Sequence, residues 1–125
     1  MAAEKQKLRV IIAGKRDYTN YEFVKEKCEK FIAQSDRFFV EEIVSGAAPG
    51  VDTLGERWAK EKGYKIRRFK ANWDLYQKSA GPIRNWEMAK YANVLVAFWD
   101  GKSRGTGNMI STAKRLGLYI IIITI

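Results

Sequence analysis

Residues 98–108 have the sequence Phe98-Trp99-Asp100-Gly101-Lys102-Ser103-Arg104-Gly105-Thr106-Gly107-Asn108, a glycine-rich segment between two apolar ones. The run 93–98 predicts a buried strand, and residues 109–116 predict a helix. The glycines let backbone N–H groups approach a ligand closely, Lys102 and Arg104 add positive charge, and Thr106 can cap the helix, whose N-terminus carries the positive end of its dipole. We therefore predict an anion site here. The alternative is a tight turn at Gly101 and Gly105 with two solvated cations.

The same alternation of apolar run, polar loop and amphipathic segment recurs along the chain. The predicted strands cover residues 8–13, 38–44, 64–69, 93–98 and 118–125. The helices between them are predicted to start at a capping box of Thr19 and Glu22, at the turn 45–52, at Gly81-Pro82 and after the glycine-rich segment. This alternation predicts a single domain over residues 1–125, with an α/β Rossmann-like three-layer fold: a mainly parallel five-stranded sheet of order 3-2-1-4-5 with helices on both faces.

Ligands of such sheets bind outside the carboxyl ends of the strands, near the point where the strand order reverses. The predicted order brings residues 14–17, 45–52, 84–85 and 99–106 to one crevice there. Asn85 lies on the predicted buried stripe of its helix, in the first turn, so it should sit beside the strand ends. The long connection 70–81 carries Trp73 and Tyr76 and either closes over the crevice as a lid or packs onto the body of the domain.

The composition narrows the classes of function. The chain has 23 Lys and Arg against 14 Asp and Glu, a formal charge of +9, which favours acidic partners such as nucleic acid or a phosphorylated small molecule. It has no histidine, which removes His-based triads and the usual zinc sites, so no metal is predicted. A single cysteine, Cys28, falls among core positions and fits a reducing, cytoplasmic setting. No signal peptide is visible, and the apolar run 117–125 is too short to cross a bilayer.

Two well-known phosphate motifs are absent. Residues 46–53 have three residues between the glycines where a P-loop needs four, and Val51 stands where it needs Lys. Residues 105–110 begin like the dinucleotide fingerprint but lack its third glycine. A kinase, an ATPase and a hydride-transfer enzyme are therefore disfavoured, and no cofactor is predicted.

Four ordered motifs carry a resemblance that spans the chain from about Leu8 onward. They are Gly14-Lys15-Arg16-Asp17, Ser45-Gly46-Ala47-Ala48-Pro49-Gly50-Val51-Asp52, Ala80-Gly81-Pro82-Ile83-Arg84-Asn85-Trp86-Glu87-Met88, and Trp99-Asp100-Gly101-Lys102-Ser103-Arg104-Gly105-Thr106. Together they resemble the YspA-like branch of the SLOG superfamily, which unites the Smf/DprA DNA-processing proteins with the LOG proteins. The resemblance implies a Rossmann-like fold with a pocket for a nucleotide or a nucleotide derivative.

The LOG proteins are phosphoribohydrolases that release the base from a nucleoside monophosphate, using an Arg, a Glu and a loop ending in Gly-Thr. In this sequence Arg84 matches the arginine and Gly105-Thr106 matches the loop, which makes Arg84 the candidate catalytic residue. The glutamate should lie three residues after the threonine, where Met109 stands. Asp100 or Asp52 could supply the missing carboxylate, but a turn role for Asp100 and a helix-dipole role for Asp52 are the simpler interpretations.

The leading hypothesis is a binding module that captures a nucleotide or nucleotide-derived phosphorylated small molecule, for signal sensing or sequestration. Backbone amides of residues 46–50 and 101–106 would hold phosphate, Arg16, Arg84 and Lys102 would neutralise it, and Trp73 or Trp99 would stack on the base. The predicted ligand-binding residues are Gly14, Arg16, Asp17, Ser45, Gly46, Gly50, Asp52, Trp73, Arg84, Asn85, Trp99, Asp100, Gly101, Lys102, Ser103, Gly105 and Thr106.

Two alternative functions are considered, and a homo-oligomer is predicted. The first alternative is a LOG-like phosphoribohydrolase. The second is DNA binding through Lys25-Glu26-Lys27, Lys60-Glu61-Lys62 and Arg67-Arg68, where the interleaved acids favour solvated helix faces instead. The apolar final strand is predicted at a sheet edge, where a homo-oligomer would cover it.

Overall fold

A parallel five-stranded sheet forms the centre of the molecule. The computed structural model describes residues 6–34 and 38–125. The strands are β1 Gln6–Gly14, β2 Phe38–Ser45, β3 Lys65–Arg68, β4 Val94–Trp99 and β5 Tyr119–Thr124. They pair in the order β3-β2-β1-β4-β5, every pair parallel, which confirms the predicted Rossmann-like architecture and places β3 at an edge.

Helices cover both faces of this sheet. They are α1 Tyr21–Cys28, which continues as a π-helical turn Glu29–Ala33, α2 Val51–Lys62, α3 Trp73–Tyr76, α4 Ala80–Tyr91 and α5 Arg104–Arg115. Successive side chains of β1 enter two separate cores: Leu8, Val10 and Ile12 pack with residues of α1 and α2, whereas Ile11 and Ala13 pack with residues of α4 and α5. This two-sided burial is why residues 10–13 of β1 and 94–99 of β4 are continuous apolar runs in the sequence.

The core contains most of the residues that the helical pattern assigned to it, but Phe31, predicted on the same face as Cys28, is 38% exposed. Asn85, Met88, Ala89 and Ala92 of the α4 stripe are all buried, and Cys28 is fully buried in the core under α1. No helix in the described residues is long and apolar enough to span a membrane.

The starts of α1 and α4 differ from the prediction. Helix α1 is capped by Asn20 rather than Thr19, because the Asn20 side chain accepts a hydrogen bond from the amide of Phe23 at 3.1 Å. Helix α4 begins at Ala80 rather than at Pro82, because a 3-10 turn over Gln77–Ser79 leads directly into it.

The start of α5 also differs. The helix begins at Arg104 with Ser103 in the N-cap position, so Thr106 lies within the first turn instead of capping it. The hydroxyl of Ser103 makes no capping bond, and the Asp100 carboxylate accepts the amide hydrogens of Lys102 and Ser103 just before the helix. The first turn of α5 therefore keeps backbone N–H groups without intrahelical partners.

The end of β1 and the start of α2 touch at a glycine. Gly50 has φ +80°, and a Cβ there would lie 2.2 Å from the Lys15 carbonyl oxygen and 2.4 Å from that of Arg16. The Val51 amide donates to the same Lys15 oxygen at 3.2 Å. Only glycine permits this approach, which fixes the two loops against each other at the carboxyl edge of the sheet.

Candidate functional site

A crevice of about 500 Å³ opens at the carboxyl ends of β1 and β4, where the strand order reverses. Four segments line it: the loop after β1, the turn between β2 and α2, the first turns of α4 and the first turn of α5. These are the four segments that the sequence motifs predicted. The volume lies within the range of about 300–1,000 Å³ that is typical of cavities for small-molecule ligands.

The first turn of α5 forms one wall of the crevice. Asp100 Oδ1 accepts the amide of Ser103 at 2.8 Å and the amide of Lys102 at 2.9 Å, and these bonds lower the pKa of Asp100 to about 2. The ionised Asp100 carboxylate therefore holds the loop, and the amides of Lys102 and Ser103 are already hydrogen-bonded to it. Residues 104–106 line the crevice, so the unpaired N–H groups of the helix start and the positive end of its dipole lie at this wall.

Arg84 lines the crevice from helix α4 and is held by two hydrogen bonds. Its Nη1 donates to the Gly46 carbonyl oxygen at 2.6 Å, and its Nε donates to Asn85 Oδ1 at 3.0 Å. Asn85 Nδ2 in turn donates to Asn108 Oδ1 at 2.9 Å and to the Gly105 carbonyl oxygen at 3.3 Å. One network therefore ties the turn after β2, helix α4 and helix α5 together around the crevice.

The electrostatics of Arg84 are unusual for an arginine. Burial lowers its pKa, the nearby Arg16 guanidinium lowers it further, and only Asp52 acts in the opposite direction. Both arginines line the crevice, and no described carboxylate lies within salt-bridge distance of either. Two neighbouring cations without a direct carboxylate partner favour an anion between them.

Asp52 lies buried at the base of the same crevice. Burial raises the pKa of Asp52 to about 6, although the amide of Ala48 donates to its Oδ2 at 3.3 Å and Arg84 lies nearby. Gly46 separates the two charged groups: a Cβ there would lie 2.8 Å from both Arg84 Nη1 and Asp52 Oδ2. Any larger residue at position 46 would push the arginine or the carboxylate out of place.

The structure brings nine of the predicted site residues to the crevice lining. They are Gly14, Arg16, Asp17, Asp52, Arg84, Asn85, Ser103, Gly105 and Thr106. Gly46 and Trp73 line a smaller adjoining compartment together with Arg16 and Arg84. The remaining six, Ser45, Gly50, Trp99, Asp100, Gly101 and Lys102, are not part of either lining.

Several of these six residues hold the loops in place. The Ser45 hydroxyl donates to Glu56 at 2.6 Å and accepts the amide of Ala47 at 3.0 Å. Trp99 Nε1 donates to the Ser103 carbonyl oxygen at 3.1 Å. The amides of Ala47 and Ala48 have acceptors within the protein, so they are not free for a phosphate as the sequence analysis expected of this turn.

Other lining residues were not among the predicted ligand-binding residues. Lys15 Nζ lies 3.6 Å from Asp17 and 3.7 Å from Asp100, so this lysine links two loops at the rim. Met88 and Met109, both buried, contribute apolar surface. The helical stripe pattern assigned Met88 to the core, but no local signal tells which core residues also border a cavity.

Residues 6–34 and 38–125 contain no cluster of three or more His, Cys, Asp or Glu side chains that could hold an ion.

The sheet order, with a crevice at its switch point, defines a Rossmann-like α/β domain. A model of the YspA, cpYpsA-related SLOG family matches residues 8–76, more than half of the chain. The protein belongs to this family, as the sequence motifs indicated. The Gene 61 protein of Mycobacterium phage D29 is 31% identical over 119 residues, covering 90% of this chain and 94% of the phage protein.

A solved structure shares the fold. The X-ray structure of DNA processing protein A (DprA) from Streptococcus pneumoniae matches with a TM-score of 0.71 at 18% identity. The match covers 92% of this chain, which spans only 50% of that DprA chain. At this identity the likeness shows the fold alone.

Proposed function

We propose that the protein binds a nucleotide or a nucleotide-derived phosphorylated small molecule in the crevice. One observation carries the proposal: the rigidly held Arg84, the neighbouring Arg16 and the first turn of α5 line one cavity. A phosphate group fits this arrangement because it accepts charged hydrogen bonds from guanidinium groups and amide hydrogens at a helix N-terminus. Signal sensing or sequestration is the role that such capture would serve.

The remaining groups suggest how the rest of the ligand lies. Met88 and Met109 offer apolar surface to a sugar or base, and Asp17 at the rim can accept hydrogen bonds from ribose hydroxyls. Of the two aromatic residues predicted to stack on a base, Trp73 is half exposed at the adjoining compartment, whereas Trp99 is engaged with Ser103. Stacking is therefore proposed for Trp73 rather than for Trp99.

The test is direct binding with paired variants. Small molecules released by denaturing the purified protein would be identified by mass spectrometry, and nucleotides would be screened by thermal shift. Gly105→Asp places a carboxylate at the helix start without a clash, because a Cβ at Gly105 meets no atom within 4 Å. It should abolish binding, and Arg84→Ala should weaken it by about tenfold or more. Arg115→Ala, at the exposed far end of α5, is the matched control. Folded variants that bind as well as the parent would contradict the site.

A phosphoribohydrolase is the second candidate. The observation that favours it is Asp52, a buried carboxyl group with a pKa of about 6 on the crevice wall beside Arg84. A group with this pKa can donate a proton to a leaving base near neutral pH. Incubation with a panel of nucleoside monophosphates should release free base if this holds. A protein that binds a nucleotide without releasing base at high enzyme concentration is a binding module.

The DNA-binding hypothesis has less support from the described residues, because carboxylates pair with several of the basic side chains. Among the basic residues that would track a backbone, Lys25 pairs with Glu61 at 3.5 Å, Lys62 with Glu29 at 3.4 Å and Arg68 with Glu56 at 2.8 Å. The DNA-processing name of the structurally similar DprA keeps the question open. Salt-sensitive binding to single-stranded oligonucleotides, lost in Arg67→Ala but retained in Gly105→Asp, would support a separate nucleic-acid surface.

We also propose a homo-oligomer through β5. This edge strand exposes Tyr119 and Ile122, which are 62% and 45% exposed. A second copy of the chain would cover them. Sedimentation should show a concentration-dependent assembly that Ile122→Lys dissociates, and a monomer at all concentrations would contradict it. A reducing, cytoplasmic location is proposed from the single buried cysteine.

A further inference from the structure

A side compartment of about 220 Å³ adjoins the crevice. We define it by Arg16, Lys70, Trp73, Arg84 and the turn 46–49, of which Arg16, Ala48, Pro49 and Arg84 also line the crevice. Its volume falls below the range of about 300–1,000 Å³ of cavities that hold a whole small-molecule ligand. It is therefore sized for one group of a ligand whose main part lies in the crevice.

The charge of the side compartment differs from that of the crevice. Arg16, Lys70 and Arg84 line it, and its lining, as far as the structure describes the chain, includes no carboxylate. The crevice lining, in contrast, includes Asp17 and Asp52. Three cations around a small concave space create a positive potential that a second anion would neutralise.

Two of the three cations are held in place. Arg84 uses two of its five N–H groups in the bonds to Gly46 and Asn85, which leaves three for ligands at the boundary between the two cavities. The Arg16 guanidinium lies 5.6 Å from the centre of the Trp73 ring, within cation–π distance. The Trp73 ring lies against the start of α4, 3.6 Å from where a Cβ of Gly81 would be. This support reduces the entropy that the side chains lose when an anion binds.

We propose that the side compartment binds a second phosphate group of the same ligand, so that the ligand class is a nucleotide with phosphates on two different positions of its ribose. The inference rests on the proposed function, since the first phosphate occupies the start of α5. Arg84 lies between the two phosphates and donates to both. Lys70 lines the side compartment but not the crevice, and it distinguishes the second phosphate from the first.

The experiment compares three ligands by calorimetry: a nucleoside 5′-monophosphate, the 5′-diphosphate and the 3′,5′-bisphosphate, in adenosine and guanosine series. The 3′,5′-bisphosphate should bind about 10- to 100-fold more tightly than the monophosphate, as expected for added charged hydrogen bonds. Lys70→Ala should remove about three- to tenfold of that advantage and leave monophosphate affinity unchanged. Lys65→Ala, an exposed lysine of β3 outside both linings, removes the same charge and should change neither affinity.

Three results would overturn the inference while the proposed function stands. The 3′,5′-bisphosphate could bind no more tightly than the monophosphate, the 5′-diphosphate could gain as much, or Lys70→Ala could weaken monophosphate and bisphosphate equally. If no ligand of either series binds, or if Gly105→Asp leaves monophosphate binding intact, the proposed function fails and the inference fails with it.

Discussion

Replacing Asp52 by asparagine is expected to raise the free energy of unfolding at neutral pH. It should also remove the contribution of Asp52 by which the free energy of unfolding rises as the pH is lowered. Asp52 is 6% exposed, and burial raises its pKa from 3.8 to about 6. Neutral asparagine avoids the desolvation of a charge, and its side-chain oxygen can still accept the amide hydrogen of Ala48. The raised pKa shows that the desolvation cost of the charge outweighs what the charge gains from Arg84 and from the amides of Ala48 and Gly14.

The magnitude follows from the two pKa values. A raised pKa means that the folded state binds the Asp52 proton more tightly than the unfolded state, so this group makes the free energy of unfolding increase as pH falls through about 6 toward 4. At about 1.4 kcal/mol per pKa unit, a shift of about 2 units corresponds to about 3 kcal/mol. Roughly 2 kcal/mol of this is regained between pH 7.5 and pH 4.5, before the unfolded carboxyl group itself titrates.

Urea denaturation at pH 7.5, 6.0 and 4.5 would measure the effect. Subtracting the Asp52→Asn values from those of the parent cancels the other titrating groups. The matched control is Asp17→Asn, because the Asp17 side chain lies at the rim of the same crevice and is 78% exposed. A pH-dependent difference of the same size in Asp17→Asn would assign the effect to loss of any crevice carboxylate rather than to burial of Asp52. A difference between parent and Asp52→Asn that changes by less than about 0.5 kcal/mol over this pH range would refute the reasoning.

Three further predictions concern the scaffold around the site. Gly50→Ala should lower the free energy of unfolding by more than about 3 kcal/mol, because its Cβ would collide with two carbonyl oxygens. Gly63 has a similar positive φ but open space around it, so Gly63→Ala should lower the free energy of unfolding by only about 1 kcal/mol. Equal losses for the two variants in urea denaturation would contradict this. Burial raises the pKa of the Cys28 thiol to about 12, so a thiol reagent should modify Cys28 only as fast as the protein unfolds. Rapid labelling under native conditions would show that Cys28 is accessible in the folded state. Burial acts to raise the pKa of Glu56, but hydrogen bonds from Arg68 and Ser45 outweigh burial and lower it. Glu56→Gln should therefore lower the urea denaturation midpoint at pH 7, and this loss of stability should shrink below about pH 4. A loss that does not change with pH would assign the effect to packing.

The topology could be predicted from the sequence because local patterns carry it. The apolar runs of β1 and β4 are buried on both faces, and glycine-rich turns follow them, so strand order and the place of the crevice follow from general rules on parallel sheets. Helix starts were less predictable. At α1, Thr19 and Asn20 both suit an N-cap, and the choice of Asn20 depends on a single side-chain bond.

The chemistry of the site could be predicted only in part. The sequence indicated which loops meet, but the bond from Arg84 to the Gly46 carbonyl oxygen joins residues 38 positions apart and depends on tertiary packing. The use of the Ala47 and Ala48 amides by Ser45 and Asp52 likewise depends on side-chain rotamers. Of the two glycine-rich turns, only the first turn of α5 therefore offers amides for a phosphate.

The lining of the crevice favours binding over cleavage. Cleavage of an N-glycosidic bond passes through an oxocarbenium-like transition state, which a nearby carboxylate stabilises. The residue at the position where the family resemblance implied a glutamate is Met109, which is buried and lends the crevice only apolar surface. Two carboxyl groups remain in the described lining: Asp17, exposed and close to Lys15, and Asp52, whose pKa burial raises to about 6. Fixed cations and an apolar wall suit capture of a phosphorylated ligand, and with Met109 at the glutamate position we favour the binding proposal over the cleavage proposal. Wild-type protein that retains an intact nucleotide through purification would agree with this, and recovery of free base and ribose phosphate would make Asp52 the first residue to replace.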